Sequence, residues 1–383
     1  MKGIIIGAGI GGLTTAIAFK KAGIDYHIME AAPELKPVGA GIVMASNAMQ
    51  VFQRLGIAEK IKSVGLEIEK ADVVDQSFKL ISALDVKNRI TPRYGIGSFA
   101  FHRGRLQQAL LSEIDEQKLM LNKRLVSLEQ KSDNVLLHFE DGSSAEADFV
   151  VGADGIKSAV RKSILGDVSY RYTHQTCWRG MSTYALTDNL KSNSYEMWGK
   201  QKGLRFGFVP TGENEVYFFT TYYTDANGKD EPGKVKEKLL ELYSVFGKIP
   251  TQLIQATPEE RIIRSDISDF TPIAQWHKGK VALLGDAAHA TTPNLGQGGC
   301  QAVEDAFVVA HCLKSENSIQ QAFAKYQSIR YQKAVHVVNM SWRLSEMTNI
   351  GNSFLQGLRN GAMRLMPESM TIRELDKILK LNY

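Results

Sequence analysis

Short apolar runs punctuate the chain, and each leads into a different texture. Lys2–Ile6 is a short run that ends in three β-branched isoleucines, the pattern of a buried parallel strand. Leu13 and Ile17 then continue at helical spacing to Lys20 and Lys21, and Gly23 predicts the helix end. A second strand is predicted at Tyr26–Met29, and further strands at Phe149–Val151 and Lys280–Leu284. Ala302, Ala306, Val309 and Leu313 return to helical spacing. Between about 169 and 274 the texture changes. "YTHQTCWRGMSTYA", "NSYEMWGK", "GLRFGFVP" and "EVYFFTTYYT" are aromatic and β-rich, separated by polar turns such as "PTGENE". That pattern predicts an antiparallel sheet joined by hairpins rather than crossovers. From Trp342 onward, Ile350, Phe354, Leu355, Leu358, Leu365 and Met366 recur at roughly helical spacing. They predict a C-terminal helical segment, 341–383. Packing of its apolar side on the chain's own first domain is favoured over a membrane or partner contact.

Composition changes this picture little. The formal net charge is +5 over 383 residues, with no basic block, which disfavours a nucleic-acid partner. Cys177, Cys300 and Cys312 are too few and too dispersed for a disulfide framework or a zinc site, so no metal is expected. The apolar start, Gly3 to Ala18, imitates a signal peptide, but its glycines and the following helix end argue against cleavage. No run reaches membrane-span length. A cytoplasmic protein, monomer or homodimer, is expected.

The glycines carry the chemistry. Gly7, Gly9 and Gly12 form G-x-G-x-x-G between the first strand and helix, with Gly11 beside them. Gly7 permits the tight turn, Gly9 lets backbone approach a pyrophosphate, and Gly12 lets helix pack on strand. The helix N-terminus offers free N–H groups to the anion. Glu30 ends the second strand, where a carboxylate accepts ribose hydroxyl protons and repels a 2′-phosphate. A second glycine-rich turn lies far downstream, in "LGDAAHATTPNLGQGGCQ". Asp286 comes after Gly285 at a strand end and suits a polyol chain. Gly296 to Gly299 fall at a predicted helix N-terminus, which favours an electron-rich ring. Two such turns fit the two ends of FAD. A third junction, "DFVVGADGIKSAVR", places Asp154-Gly155 in a turn ahead of Ser158 and Arg161.

In this order and spacing, Gly7-x-Gly9-x-x-Gly12, Asp154-Gly155 and Gly285-Asp286 resemble the single-component FAD-dependent aromatic hydroxylases, the p-hydroxybenzoate hydroxylase-like group. "GAGIVMASNAMQVFQRLG", "GDAAHATTP" and "LGQGGCQAVEDA" look like its bacterial urate hydroxylase and salicylate hydroxylase-like branch. The resemblance implies an α/β fold: a Rossmann-like FAD-binding domain of the GR2 type, an inserted antiparallel substrate sheet and C-terminal helices. The FAD domain would be discontinuous (1–70, 98–168, 275–340), with 71–97 and 169–274 forming the substrate domain. FAD would also touch Ala31, Val43, Arg103, Leu125, Leu295 and Gln297, while Asp154, Ser158 and Arg161 would serve flavin and a transient NADH or NADPH. His289 is expected to be a packed histidine.

The implied reaction is hydroxylation. NAD(P)H reduces FAD, O2 adds to give a flavin hydroperoxide, and its distal oxygen passes to a small electron-rich aromatic or heteroaromatic substrate, urate-like or a phenolic acid. A flavin halogenase is disfavoured because Trp178, Trp198, Trp276 and Trp342 are scattered and no Trp-x-Trp-x-Ile-Pro occurs. A tetracycline-type hydroxylase shares all three motifs. A plain dehydrogenase or a non-catalytic FAD-fold binding protein leaves the Gly285-Asp286 block unexplained. Arg179, Arg205, Tyr217, Gln297 and Gly298 are the substrate-site candidates, with Arg205, Tyr217 and Asn294 as the reactive set. A three-residue turn centred on Thr211 would oppose Arg205 and Tyr217 directly, and an odd shift would put them on opposite faces. Asn294 departs from the Asp of the urate hydroxylase branch. That leaves Arg205 without an acidic counterpart and predicts an anionic or readily ionised substrate.

Overall fold

The computed structural model describes residues 1–36 and 39–383. Its first layer is a six-stranded sheet in the order His277–Lys278, Val281–Leu283, Phe149–Gly152, Lys2–Ile6, Asp25–Met29, Leu119–Met120. All neighbours are parallel except the His277–Lys278 edge. Helix Ile10–Ala22 comes after the first strand, and Gly23 closes it in the left-handed region at φ 74°. Helix Gly298–Ser315 lies against it. Gly11 permits the approach, since a Cβ there would stand 3.1 Å from that of Ala302. One large apolar core, including Ile5, Leu13, Phe19, Phe149, Leu283 and Val303, fills this half.

The second layer is a seven-stranded sheet in the order Ile263–Phe270, Tyr170–Thr183, Glu215–Tyr223, Arg205–Gly212, Asn193–Trp198, Lys70–Asp75, Leu80–Asp85. Its pairs are antiparallel, as the sequence texture predicts, with one exception. Asn193–Trp198 runs parallel to Lys70–Asp75, because that strand arrives from the other end of the chain. Phe206, Phe208 and Phe218 pack its covered face against Leu239, Tyr243 and Leu253 of two short helices. Between the layers sits a small sheet of Gly41–Met44, Ser98–His102 and Gly65–Ile68. A third cluster, with Ile68, Ala100, Val209 and Val337, ties it to the large sheet and to helix Ile319–Thr348.

Two expectations need correction. The Arg205–Gly212 and Glu215–Tyr223 hairpin turns at Glu213-Asn214, not Thr211, with a register shift before Gly212. Arg205 therefore opposes Thr221, and Tyr217 opposes Val209. The offset is even, so both side chains still share a face. The C-terminal segment departs from expectation in part: helix Glu368–Leu379 packs on Ser46–Arg54 of the first domain, with Leu381 and Tyr383 against its core, but the preceding helix does not. Helix Ser353–Arg364 lies beside strand Leu80–Asp85, not on the glycine-rich half. Phe354, Leu355, Leu358, Leu365 and Met366 are exposed.

Candidate active site

A single cavity of 710 Å3 runs between the two layers and takes its walls from both. One end is glycine backbone. Gly7 has φ 103°, and its carbonyl lies where a Cβ on Gly12 would come within 1.9 Å, so this turn admits no side chain at position 12. Gly9 caps the first helix, and a Cβ there would meet nothing within 4 Å. The open volume beside an N-terminal turn is where a pyrophosphate fits. Glu30 bounds this end. Its carboxylate accepts from Ala8 N at 2.7 Å and Ala32 N at 2.8 Å, and each oxygen keeps a lone pair for a ribose hydroxyl. Ala31, Val43, Arg103 and Leu125 line the same volume.

Farther along, Asp286 and Gly296–Gly299 close the cavity floor. Gly285 adopts φ 58°, which turns Asp286 toward the cavity. Surrounding protein desolvates that carboxyl and raises its pKa, although His289 and Arg103 pull the other way. Its oxygen approaches Gly298 near the N-terminus of helix Gly298–Ser315. A carboxylate facing a chain of hydroxyls, next to helix N–H groups facing a ring, suits the ribityl chain and flavin of FAD. The two ends together fit that cofactor.

Not every expected residue faces this space. Gly12 serves only the packing of helix on strand. Leu295 lies off the cavity, and its side chain joins the apolar cluster with Val43, Val209 and Tyr217. Gln297 lines the cavity, but its side-chain oxygen accepts from Asn47 and Gln301, both at 3.1 Å. Asp154 lines the cavity while also acting as a cap, accepting from Ser158 Oγ at 2.6 Å and Val160 N at 3.1 Å. Burial raises its pKa against those bonds. Ser158 and Arg161 do not reach the cavity. Arg161 is buried, donates to the carbonyls of Ala287 and Ile156, and stacks on Phe270. His289 is a packed histidine. It sits 2.6 Å from Asp305, with Trp276 against its ring. Burial alone would raise Asp305, but His289 and Arg330 outweigh it and bring the carboxyl down to about 2.

The opposite wall comes from the large sheet: Cys177, Arg179, Glu196, Arg205, Tyr217, Phe219 and Thr221. Burial pushes the Cys177 thiol up, so it is a protonated, apolar lining. Burial also holds the Tyr217 phenol well above its ordinary range, making it a neutral donor rather than a base. Gly41 lets this ring lie against the small sheet, since a Cβ there would overlap Tyr217 at 2.3 Å.

Arg205 has many partners. Its guanidinium donates to Thr221 Oγ1 at 3.0 Å, Glu196 Oε1 at 2.9 Å, Gln175 Oε1 at 3.0 Å and Asn294 Oδ1 at 2.8 Å. The expectation that it lacks an acidic counterpart is wrong, because Glu196 is that counterpart. Asn294 is likewise a structural joint. Its amide nitrogen donates to Thr292, to the Ser341 carbonyl and to Ser345, which an Asp would meet with oxygen against a carbonyl. Arg179 is the contrast. It donates to Ser265 Oγ at 2.6 Å, its buried Nε has no partner, and no carboxylate pairs with it among the described residues. Sequence reasoning missed Glu196, Gln175 and Thr221. A signal existed for Glu196, a lone acid between Tyr195 and Met197 in a strand, the same pattern that singled out Arg205.

Comparison with known proteins fits this geometry. Residues 1–341 match the FAD binding domain family model. The chain is 39% identical over 364 residues to the aurachin C monooxygenase/isomerase of Stigmatella aurantiaca, covering 95% of this chain and 94% of that protein. It is 32% identical over 376 residues to the 2-heptyl-3-hydroxy-4(1H)-quinolone synthase of Pseudomonas aeruginosa, covering 96% and 94%. The crystal structure of Klebsiella pneumoniae HpxO complexed with FAD and uric acid superposes with a TM-score of 0.89 at 28% identity, covering 98% of this chain and 95% of that one. With its family model, its full-length relatives and its fold in agreement, the chain belongs to the FAD-binding-domain family and is an FAD-dependent monooxygenase of the aromatic hydroxylase type.

Proposed function

We propose that the enzyme hydroxylates a neutral, planar nitrogen heteroaromatic of the 4-quinolone type, consuming O2 and NAD(P)H. The observation that carries this reading is the unequal state of the two cavity arginines. Arg205 is already neutralised by Glu196 and held by three further acceptors, so it has little attraction left for an anionic ligand. Arg179 lines the cavity unpaired with any carboxylate among the described residues, and its guanidinium can polarise a ring carbonyl without requiring a formal negative charge. Phe219, Tyr217, Cys177 and Ile42 give the surrounding wall its apolar character, which suits an alkyl-bearing ring better than a phenolic acid. The relative named for a heptyl quinolone supports the same class.

FAD, when bound, supplies oxygen activation, with reducing equivalents from NAD(P)H. The chain's own residues then divide the remaining work. Arg179 draws electron density toward the substrate carbonyl, and Tyr217, neutral at physiological pH, donates a hydrogen bond that sets the ring plane. Glu196 keeps its second oxygen free of the Arg205 bond and can accept a ring N–H. The apolar wall excludes water from the reacting ring. The overall balance is one substrate C–H, O2, NAD(P)H and a proton giving C–OH, water and NAD(P)+.

The test is a screen of 2-alkyl-4-quinolones, urate and salicylate for stimulated NAD(P)H oxidation, with labelled O2 for the responding compound. Quinolones should stimulate most, with one labelled oxygen in the product. Stimulation confined to salicylate or urate overturns the substrate class, and label arriving from water overturns the oxygen transfer.

A further inference from the structure

Helix Ser353–Arg364 is inside out. Its only buried residue is polar: Gln356, whose amide donates to the carbonyls of Lys200 and Ile350. Arg359 also faces inward, donating to the Met347 carbonyl and lying 4.5 Å over the Trp198 ring. The outward face is apolar. Phe354 is 76% exposed, Leu358 64% and Leu365 84%, with Leu355 and Met366 beside them. At about 100° per residue Phe354, Leu355 and Leu358 fall within one arc of about 100°, opposite Gln356 and Asn360, and Leu365 and Met366 follow directly after the last turn. Water penalises such a stripe, and nothing among the described residues covers it.

The charge around the stripe indicates what covers it. Met347 to Pro367 contains no acidic residue. Lys200 and Lys202 lie beside the helix, both exposed and both outside any ion pair among the described residues: Gln356 bonds the Lys200 carbonyl, and Lys202 lies against Gly351 with its ammonium over the Tyr223 ring. Lys79 adds a third exposed cation at the neighbouring hairpin, whose Leu80 carbonyl accepts from Arg364. Two copies meeting through this face would bring their lysines together, which opposes self-association. A surface that is apolar beneath an anionic layer satisfies both features at once, the combination that holds amphipathic helices at a bilayer interface. No helix among the described residues is long and apolar enough to cross a membrane, so the contact would be peripheral.

We infer that helix Ser353–Arg364 is an interfacial anchor that docks the enzyme on anionic lipid. The anchor adjoins the substrate end of the cavity. Arg359 stacks on Trp198, and Trp198 Nε1 donates to cavity-lining Glu196 at 2.7 Å. Docking would therefore bring that wall close to the lipid, although the inference does not depend on the substrate class.

The experiment is co-sedimentation of the FAD-loaded enzyme with phosphatidylglycerol vesicles and with phosphatidylcholine vesicles. The enzyme should pellet with the former, weakly with the latter, and less as salt rises. Leu358→Ser/Leu365→Ser should lower the apparent affinity at least tenfold while leaving flavin absorbance and thermal midpoint unchanged, because both side chains already face solvent. Lys200→Glu/Lys202→Glu should remove the preference for anionic lipid. Wild-type enzyme that stays in the supernatant at low salt overturns the inference, as does undiminished pelleting of the leucine variant. A concentration-dependent dimer that the leucine variant abolishes, without vesicle binding by the wild type, assigns the face to a second copy instead.

Discussion

The two walls of the cavity are built by different rules. The glycine wall is backbone: turns at Gly7, Gly285 and Gly296 with positive φ, helix N-termini, and carboxylates of Glu30 and Asp286 at strand ends. Each feature is made within a few consecutive residues. The sheet wall is side chain: Arg179, Glu196, Arg205 and Tyr217 come from four strands, and their relations depend on register. A backbone site tolerates little change at the atoms that build it. A side-chain site changes its ligand when one partner changes.

The largest expected effect tests the glycine wall. Gly12→Ala puts a methyl on the Gly7 carbonyl, and overpacking against backbone costs about 3 kcal/mol or more. Expression with little flavin and a much lowered thermal midpoint should result. Gly9→Ala is the control. Its methyl meets no protein atom, so the fold should survive while FAD is excluded from the cradle. If Gly9→Ala retains full flavin, the cradle is not where the pyrophosphate lies.

On the sheet wall, Arg205→Gln breaks a cluster that joins strands Asn193–Trp198, Arg205–Gly212 and Tyr170–Thr183 to Asn294 on the opposite wall. It strands the Glu196 carboxylate. Losing one partner of a sealed pair costs about 3–5 kcal/mol, and the partial exposure of Glu196 brings this nearer 2–3 kcal/mol. The thermal midpoint should therefore fall together with activity. Glu196→Gln/Arg205→Gln should recover part of the midpoint, since it removes both charges. A normal midpoint for Arg205→Gln alone would show that the cluster does not join the walls.

This contrast explains what was legible. The G-x-G-x-x-G turn, the Asp154-Gly155 and Gly285-Asp286 turns and the helix after Gly299 arise from local constraints, and their positions could be read from spacing. The Arg205–Tyr217 offset could not, because it depends on where a hairpin turns, and a register shift before Gly212 moved that turn. The Glu196 partner was hidden for a similar reason: diagonal neighbours on two strands lie close only once their pairing is known. Helix Ser353–Arg364 misled for another reason. Periodicity finds an amphipathic helix but not which side faces inward, and here the polar side does.

Asp286→Ala bears on the glycine wall again, at a smaller scale. Its side chain is exposed in the ligand-free cavity and makes no hydrogen bond or ion pair among the described residues, so its removal should leave the ligand-free protein about as stable as before. FAD should bind more weakly by about 1.5–3 kcal/mol, the value of a hydrogen bond to a charged group, or roughly tenfold to a hundredfold in Kd. Flavin fluorescence titration measures it. An unchanged Kd would remove Asp286 from the ribityl site and leave Gly296–Gly299 to hold that end alone.

The smallest effect is the most informative about substrate. Arg179 sits within two residues of Cys177 on strand Tyr170–Thr183, faces the cavity and keeps one bond, to Ser265. Its guanidinium lines the cavity and pairs with no carboxylate among the described residues, which leaves its charge to act on a ligand. Arg179→Gln keeps a donor of shorter reach and removes the charge. Fold and FAD content should not change, because Arg179 pairs with no carboxylate whose charge would be stranded. kcat/KM for the proposed heteroaromatic should fall roughly tenfold, about 1.4 kcal/mol. A loss confined to KM marks Arg179 as a binding group. A loss in kcat marks it as polarising the ring as oxygen transfers, and Arg179→Lys should then restore part of the rate. Should both variants turn over at the wild-type rate, the asymmetry between the two arginines has no bearing on substrate choice, and the neutral-ligand reading loses its support.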